Sequence, residues 1–282
     1  MRTKIHDMID PPFARDTTES GTYDVELAAA VDAARAGGAA IRTAFGGDHQ
    51  VTFKSGDDPL TAADAAADRC IRDRLIGQFP TDGWLSEEGD AQVVAGGRRL
   101  WVVDPLDGTR EFVQHIPEFA VSIALLVEGR PLVAVVYNPI RDLMVAAVRG
   151  RGVRNGDRMV TTSSTSDLST AVVLASRSEI ARGQWRPFEP RCRVVAMGSI
   201  AYKLALVASG EADATISLAP KHGWDIAAGT LLVEEAGGVV SGLDGQALEM
   251  ADPTALLDGL VACGARIHGQ VLAAVGASRR PA

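Results

Sequence analysis

The best candidates for chemistry in this chain are two aspartates in the segment 104–109, Asp-Pro-Leu-Asp-Gly-Thr. The apolar run 100–103 before it predicts a buried strand that ends at the Asp-Pro pair, because proline lacks an N–H and restricts the residue before it. Carboxylates on a tight turn can converge on a hard cation, and Gly108 lets backbone N–H groups approach an anion closely. The pattern predicts a site for magnesium and phosphate, although Asp, Pro and Gly also favour a plain turn.

Further acidic residues accompany this segment. Glu87 and Glu88 precede it, and Asp225 opens an Ala-rich, helix-like stretch about 120 residues downstream. Asp64 lies near the start of another predicted helix, where the helix dipole alone would explain a carboxylate. Mg²⁺ takes oxygen ligands and retains several waters, so acidic groups at strand ends and helix starts suit a site for more than one cation.

Composition excludes several classes of function. The chain has 282 residues and a net charge of −8, which argues against a nucleic acid polymer as partner. No apolar run approaches the roughly 20 residues of a membrane span, and no signal-peptide core precedes the first helix. The three cysteines have no paired spacing, which predicts neither disulfides nor zinc and favours a cytoplasmic location.

The elements that must position these residues can be predicted from periodicity. We expect an Ala-rich helix over 23–45, a second helix over about 60–79 and an antiparallel meander of strands over 119–148. From 171 to 240, strands and helices alternate, which predicts a second sheet covered by helices. Residues 1–20 are polar and aperiodic, and we expect a flexible extension there.

The order of these acidic segments resembles a known family, the lithium-sensitive, magnesium-dependent phosphomonoesterases of the inositol monophosphatase superfamily. The resemblance extends from about Thr22 onward, and it includes the eleven residues between Asp225 and Gly237-Gly238. It implies a mixed α/β chain folded as a layered α-β-α-β-α sandwich of the inositol monophosphatase and fructose-1,6-bisphosphatase type. A single catalytic domain over 21–275 would then comprise halves at about 21–160 and 161–275.

Ligand chemistry and the resemblance assign the same metal ligands. Two cations close together can activate a water on one side of phosphorus and neutralise the leaving oxygen on the other, which requires a bridging carboxylate. Asp104 is the candidate bridge between a cation held by Glu87 and the Leu106 carbonyl and one held by Asp107 and Asp225. The resemblance implies Mg²⁺, with two or three ions per site and the third near Glu87.

The resemblance also assigns roles in catalysis and substrate binding. Asp64 and Thr109 would orient and deprotonate the attacking water, with Glu87 as a further catalytic residue. The Gly108 and Thr109 N–H groups would hold phosphate oxygens, helped by the N-terminus of a helix that starts at Ser199. The remaining candidates for binding phosphate or substrate are Lys54, Lys203 and Ser217.

The substrate is predicted from fewer residues. Asp-Gly-Thr-Arg-Glu-Phe at 107–112, Ala-Ser-Arg-Ser at 175–178 and the position of Lys203 are similar to nucleotidases that convert 3'-phosphoadenosine 5'-phosphate to AMP. Ser217 stands where those enzymes have an arginine and the inositol enzymes a glutamate, so its hydroxyl would hold a second phosphate weakly unless Lys221 compensates. Solvated surface lysine is the alternative interpretation of Lys203 and Lys221.

Three classes of activity therefore remain. We expect a phosphoric monoester hydrolase (EC 3.1.3), foremost a 3'(2'),5'-bisphosphate nucleotidase. The alternatives are a phosphatase of inositol 1-phosphate or another polyol, sugar or nucleoside monophosphate, and a non-catalytic regulatory scaffold. The expected partners are a small phosphorylated substrate and a second copy in a homodimer, without nucleic acid polymer or membrane.

Other phosphate chemistries lack their motifs. The spacing of Asp104 and Asp107 is one residue longer than the Asp-x-Asp of aspartyl-phosphate phosphatases. The chain has no Gly-x-x-x-x-Gly-Lys loop, and its five histidines are scattered singly without metal spacing or a Gly-x-Ser-x-Gly elbow.

Overall fold

The computed structural model describes residues 23–47, 52–53, 59–89, 98–248, 250 and 252–278. The predicted extension at 1–20 and the candidate Lys54 lie outside these residues. For residues 52–53 and 59–60 only the backbone is described.

Seven α-helices occur in the described residues, together with a 3-10 helix at Leu168–Thr170. They are α1 (Asp24–Ala44), α2 (Ala62–Gln78), α3 (Thr109–Val113), α4 (Arg177–Ala181), α5 (Ile200–Ala208), α6 (Gly223–Glu235) and α7 (His268–Ser278). The two helices predicted near the N-terminus are confirmed as α1 and α2. None of the helices in the described part of the chain combines the length and apolar character that crossing a membrane requires.

The first large sheet has seven strands in chain order and follows a short antiparallel pair, β1 (Thr52–Phe53) and β2 (Pro59–Leu60). Its strands are β3 (Gly83–Ser86), β4 (Arg99–Asp107), β5 (Ala120–Val127), β6 (Arg130–Asn138), β7 (Leu143–Val148), β8 (Val153–Asn155) and β9 (Arg158–Val160). The β5, β6 and β7 pairings are antiparallel, which confirms the predicted meander. The hairpin of β8 and β9 was not predicted.

The second sheet has five strands in the order β11-β10-β12-β14-β13. They are β10 (Val172–Ser176), β11 (Arg193–Met197), β12 (Ala214–Ser217), β13 (Gly238–Ser241) and β14 (Leu260–Gly264). β10 runs parallel to both its neighbours, whereas β14 runs antiparallel to β12 and β13. The boundary between the sheets falls after β9, near the predicted border of the two halves at 160, although their grouping into one catalytic domain stays a prediction.

Three apolar clusters stack the elements in five layers, which confirms the predicted α-β-α-β-α sandwich. α1 and α2 cover one face of the first sheet, and its other face packs on α5 and α6. The second sheet lies on the far side of these two helices, and α7 covers its outer face together with Trp185 and Phe188. α5 and α6 therefore form the middle layer, and every residue of α5 is buried.

The structure corrects the prediction that the strand carrying Asp104 ends at Pro105. β4 continues through Pro105 to Asp107, and its register with β5 shifts between Asp104 and Asp107. Proline is tolerated there because β3 pairs only as far as Val103, so no strand on that side needs the missing N–H. This register shift is a bulge-like irregularity, and it changes the direction of the side chains at the end of the strand.

Replacing Gly229 of α6 tests how closely the middle layer is packed. A Cβ built at Gly229 would lie 2.5 Å from the Leu204 Cβ of α5, so the two helices cannot keep their spacing around an added methyl group. We expect Gly229→Ala to lower the free energy of unfolding by about 1 to 3 kcal/mol in urea titrations.

Gly276→Ala in α7 is the matched control, because nothing lies within 4 Å of a Cβ built there. It should be neutral or stabilise the protein by up to about 1 kcal/mol, since alanine favours the helix. Equal effects at the two glycines would contradict the packing described for α5 and α6.

Candidate active site

Asp104 occupies the irregular end of β4 and is 1% exposed. Its Oδ1 accepts a hydrogen bond of 3.0 Å from the Leu106 N–H two residues on, so the carboxylate is held by its own turn. The side chain of Glu87, which directly follows β3, lies close enough to share a hydrogen bond with Asp104. Glu87 and the segment 104–109 therefore meet at the ends of adjacent strands.

Asp107 and Asp225 complete a cluster with Asp104. Asp225 lies in the first turn of α6, where its Oδ2 accepts a hydrogen bond of 2.9 Å from the His222 N–H. Each of the three aspartates offers an oxygen within 4.8 Å of the other two. Only hard oxygen donors are present, in a spacing that suits a divalent cation of the magnesium or calcium type.

The pKa values of the three carboxyl groups are all raised. Burial raises the pKa of Asp104 well above its usual range, and repulsion from Glu87, Asp107 and Asp225 adds to it. Burial and the charge of Asp107 raise the pKa of Asp225 to about 7. The neighbouring lysines therefore do not fully offset the negative charge of the cluster; a bound cation would offset it, and the donor set fits Mg²⁺.

Asp107 is held by the N-terminus of α5. Its Oδ2 accepts hydrogen bonds of 2.6 Å from both the Ser199 hydroxyl and the Ala201 N–H. Burial raises its pKa, and these two donors with Lys221 and Lys203 work in the opposite direction. The Ser199 Oγ also accepts from the Tyr202 N–H and caps the helix. The sequence predicts a phosphate at this N-terminus, whereas the structure places Asp107 there; a contact of Ser199 to substrate stays a prediction.

Asp64 and Thr109, which the resemblance assigns to the attacking water, contact each other; their role in catalysis stays a prediction. The Thr109 hydroxyl lies 3.0 Å from Asp64 Oδ1 and 3.1 Å from the Leu106 carbonyl oxygen. The other oxygen of Asp64 accepts from the N–H and hydroxyl of Thr61 in the capping box that begins α2. The Asp64 carboxylate therefore does both things considered for it: one oxygen caps the start of α2, and the other contacts Thr109.

Gly108 joins the end of β4 to α3 with a φ of 103°, a conformation that favours glycine. A Cβ at this position would lie 2.9 Å from the Glu118 carbonyl oxygen, so the turn has no room for a side chain. The backbone of Gly108 and Thr109 is thereby fixed beside the acidic cluster.

Lys203 is a buried cation, so its interpretation as a solvated surface lysine is wrong. The side chain lies on α5 and is 3% exposed. Burial and the neighbouring Lys221 lower the pKa of Lys203 to about 8, although Glu179, Asp107 and Glu111 favour its charged form.

Ser217 is also buried, at 1% exposed, and its hydroxyl donates to the Ala219 carbonyl oxygen at 3.0 Å. The segment after it is held by Glu179, whose Oε1 accepts from the N–H groups of Leu218 and Ala219 at 2.9 Å. The sequence predicts no role for this carboxylate, because Leu218 and Ala219 lie about 40 residues away from it.

The family of the chain follows from a sequence comparison. The sequence profile of the inositol monophosphatase family matches residues 23–280, nearly all of the chain. The chain belongs to this family. It is a phosphoric monoester hydrolase (EC 3.1.3), and the family is in general magnesium-dependent.

Individual relatives carry two kinds of name. The chain is 39% identical over 197 residues to the inositol-1-monophosphatase of Rhizobium meliloti, covering 67% of this chain and 74% of that protein. It is 36% identical over 226 residues to the Nus factor SuhB of Pasteurella multocida, covering 77% and 84% respectively. The crystal structure of the extragenic suppressor protein suhB from Bartonella henselae superposes with a TM-score of 0.81 at 30% identity, covering 89% of this chain and 98% of that one.

The raised pKa values predict how the stability of the metal-free protein depends on pH. The pKa of Asp225 is about 7 in the folded protein against 3.8 as its ordinary value, so between these limits the folded state binds more protons than the unfolded chain. The free energy of unfolding therefore falls as the pH rises through this range. We expect the melting temperature in EDTA to be lower at about pH 7.5 than at about pH 5 by roughly 5 °C.

Saturating Mg²⁺ should remove most of this difference in melting temperature between the two pH values. Asp225→Asn should make the melting temperature in EDTA depend less on pH, because the amide does not titrate. Asp252→Asn is the control, since its exposed carboxyl has a pKa lowered by Thr254 and does not belong to the cluster. A profile that is identical in wild type and Asp225→Asn would contradict the assignment.

Proposed function

We propose that the cluster of Asp104, Asp107 and Asp225 binds Mg²⁺ together with Glu87 and the Leu106 carbonyl oxygen, at the site of phosphate ester hydrolysis. The observation that carries the proposal is the packing of one buried and two half-buried carboxylates, whose pKa values are raised by loss of solvent and by one another. Magnesium in such a site supplies Lewis acidity, which favours deprotonation of a nucleophilic water and neutralises charge on the leaving oxygen. Two or three ions per site stay a prediction of the resemblance.

The Asp64 and Thr109 pair is proposed to hold and deprotonate the attacking water. The Thr109 oxygen can accept a hydrogen bond from the water while its own proton goes to Asp64 Oδ1 at 3.0 Å. Thr61 holds the other Asp64 oxygen, so the carboxylate keeps one orientation throughout. Proton transfer over this path leaves the water as a nucleophile without a covalent enzyme intermediate.

Backbone groups are proposed to bind the transferred phosphoryl group. The N–H groups of Gly108 and Thr109 stand at the start of α3, and a residue without a Cβ at 108 lets an anion approach the backbone closely. Such fixed donors stabilise the charge that develops on phosphate oxygens in the transition state. Lys54, Lys203, Ser199 and Ser217 remain candidates for further substrate contacts.

For the substrate, we propose inositol 1-phosphate or a closely related polyol monophosphate. Relatives at 36% to 39% identity include proteins named inositol-1-monophosphatase, and these matches cover two thirds or more of the chain. A 3'(2'),5'-bisphosphate nucleotidase is the second candidate, because the cationic Lys203 beside Lys221 could hold a second phosphate. A non-catalytic scaffold is disfavoured, since the candidate metal ligands and the Asp64–Thr109 pair are all present.

Three further properties belong to the proposal. The halves 21–160 and 161–275 would act as one catalytic domain, since Asp104 and Asp107 come from the first and Asp225 from the second. Inhibition by lithium and a homodimeric state stay predictions of the resemblance.

Asp104→Asn tests the bridging carboxylate. A neutral amide cannot bridge two cations, so Mg²⁺-dependent phosphate release should fall by about 100-fold or more, which corresponds to the several kcal/mol that metal catalysis supplies. The melting temperature in EDTA should be unchanged or higher, because one buried charge is removed from the cluster.

Asp142→Asn is the matched control, because it makes the same change in a turn residue that contacts Tyr137. It should retain wild-type activity. More than a few per cent of wild-type activity in Asp104→Asn would disprove the bridge.

A substrate panel distinguishes the two candidate activities. We expect a higher kcat/KM for inositol 1-phosphate than for 3'-phosphoadenosine 5'-phosphate, measured as Mg²⁺-dependent phosphate release. The reverse order would favour the second candidate, and Lys203→Met should then lower kcat/KM for the bisphosphate by about tenfold or more, because a charge-assisted contact is lost. Release from neither substrate would contradict both candidates.

A further inference from the structure

Glu118 lies outside the acidic cluster but contacts both halves of the molecule beside it. One oxygen, Oε2, accepts hydrogen bonds from Arg177 Nε at 3.2 Å and Nη2 at 2.6 Å, and from the Gly198 N–H at 2.9 Å. Glu118 precedes β5 of the first sheet, whereas Arg177 and Gly198 follow β10 and β11 of the second. The Glu118 side chain is 15% exposed and Arg177 is 36% exposed.

Gly198 directly precedes the residue that holds Asp107. Ser199 has a φ of 55°, a strained conformation for a non-glycine residue, and its hydroxyl donates to Asp107. The side chain of Glu111 fills the space on the other side of Gly198, where a Cβ would lie 2.7 Å from Glu111 Oε1. Strain of this kind persists only where surrounding contacts fix the backbone, and the bond to Glu118 is one of them.

Glu118 also supports the turn at Gly108, which is proposed to bind phosphate. Its carbonyl oxygen lies 2.9 Å from the position that a Cβ on Gly108 would occupy, so the backbone of Glu118 packs directly behind that turn. Glu118 thus contacts the turn at Gly108 through its backbone and the turn at Gly198 through its carboxylate.

We propose that Glu118, held by Arg177, is a positioning residue that fixes the Gly198–Ser199 turn so that Ser199 and Ala201 keep Asp107 aimed into the cation site. The inference rests on the proposed cation site. Because the Arg177 side chain is 36% exposed, solvent screens its charge and the pair contributes modestly to stability; its main contribution here is to geometry. Losing the Glu118 carboxylate leaves the Gly198 N–H without this acceptor and lets the strained turn relax.

The test measures Mn²⁺ binding to metal-free protein by electron paramagnetic resonance of the free ion, beside activity and melting temperature. Glu118→Ala should weaken Mn²⁺ binding by about tenfold, as loss of supporting contacts around metal ligands does. Glu118→Gln should stay within about threefold of wild type, because its amide oxygen can still accept the Gly198 N–H. Glu128→Ala removes an acidic partner of Arg98 at the β5–β6 turn and should leave Mn²⁺ binding unchanged.

Comparison of Glu118→Ala with Glu118→Gln separates a positioning role of Glu118 from an effect of its charge and from an effect on general stability. Equal weakening in Glu118→Ala and Glu118→Gln would assign the effect to the lost negative charge and overturn the proposal. A lower melting temperature with unchanged Mn²⁺ affinity in Glu118→Ala would show a merely structural role and also overturn it. Wild-type protein that binds Mn²⁺ but releases no phosphate would refute the proposed function alone, whereas wild-type protein that binds no Mn²⁺ would refute both.

Discussion

Repulsion among three closely packed carboxylates, one buried and two half-buried, is the constraint on which the rest of this structure depends. Asp104, Asp107 and Asp225 approach within 4.8 Å although burial raises the pKa of each one. Charged groups so arranged are tolerated only when protons or a cation offset their charge. A cation bound there, as proposed, would link binding to folding, because it would stabilise the arrangement that the folded chain alone makes costly.

In the fold, a backbone N–H group donates a hydrogen bond to each of the three carboxylates and fixes its position. Asp104 is held by the Leu106 N–H of its own bulge, Asp107 by the N-terminus of α5, and Asp225 by the His222 N–H at the start of α6. Because α5 and α6 form the buried middle layer between the two sheets, apolar packing far from the cluster sets the position of two of its three members.

Local sequence signals predicted much of this arrangement, including the acidic segments, most helices and the meander, because periodicity and turn residues are local properties. The path of β4 beyond Pro105 was missed, since it depends on where β3 stops pairing. The sequence also did not predict the contact of Ser199 to Asp107, because these residues are far apart in the chain. The same holds for the three N–H donors to Glu179, two of which come from a remote segment. A helix N-terminus indicates that an anion can bind there, but not whether that anion is a phosphate or a side chain of the same chain.

Anomalous diffraction from crystals soaked in Mn²⁺ shows directly whether these carboxylates hold a cation. We expect a strong peak among the carboxylate oxygens of Asp104, Asp107 and Asp225, with Glu87 beside it, and loss of that peak in Asp104→Asn. Well-diffracting crystals with saturating Mn²⁺ and no peak among these oxygens, or with peaks only elsewhere on the protein, would contradict it.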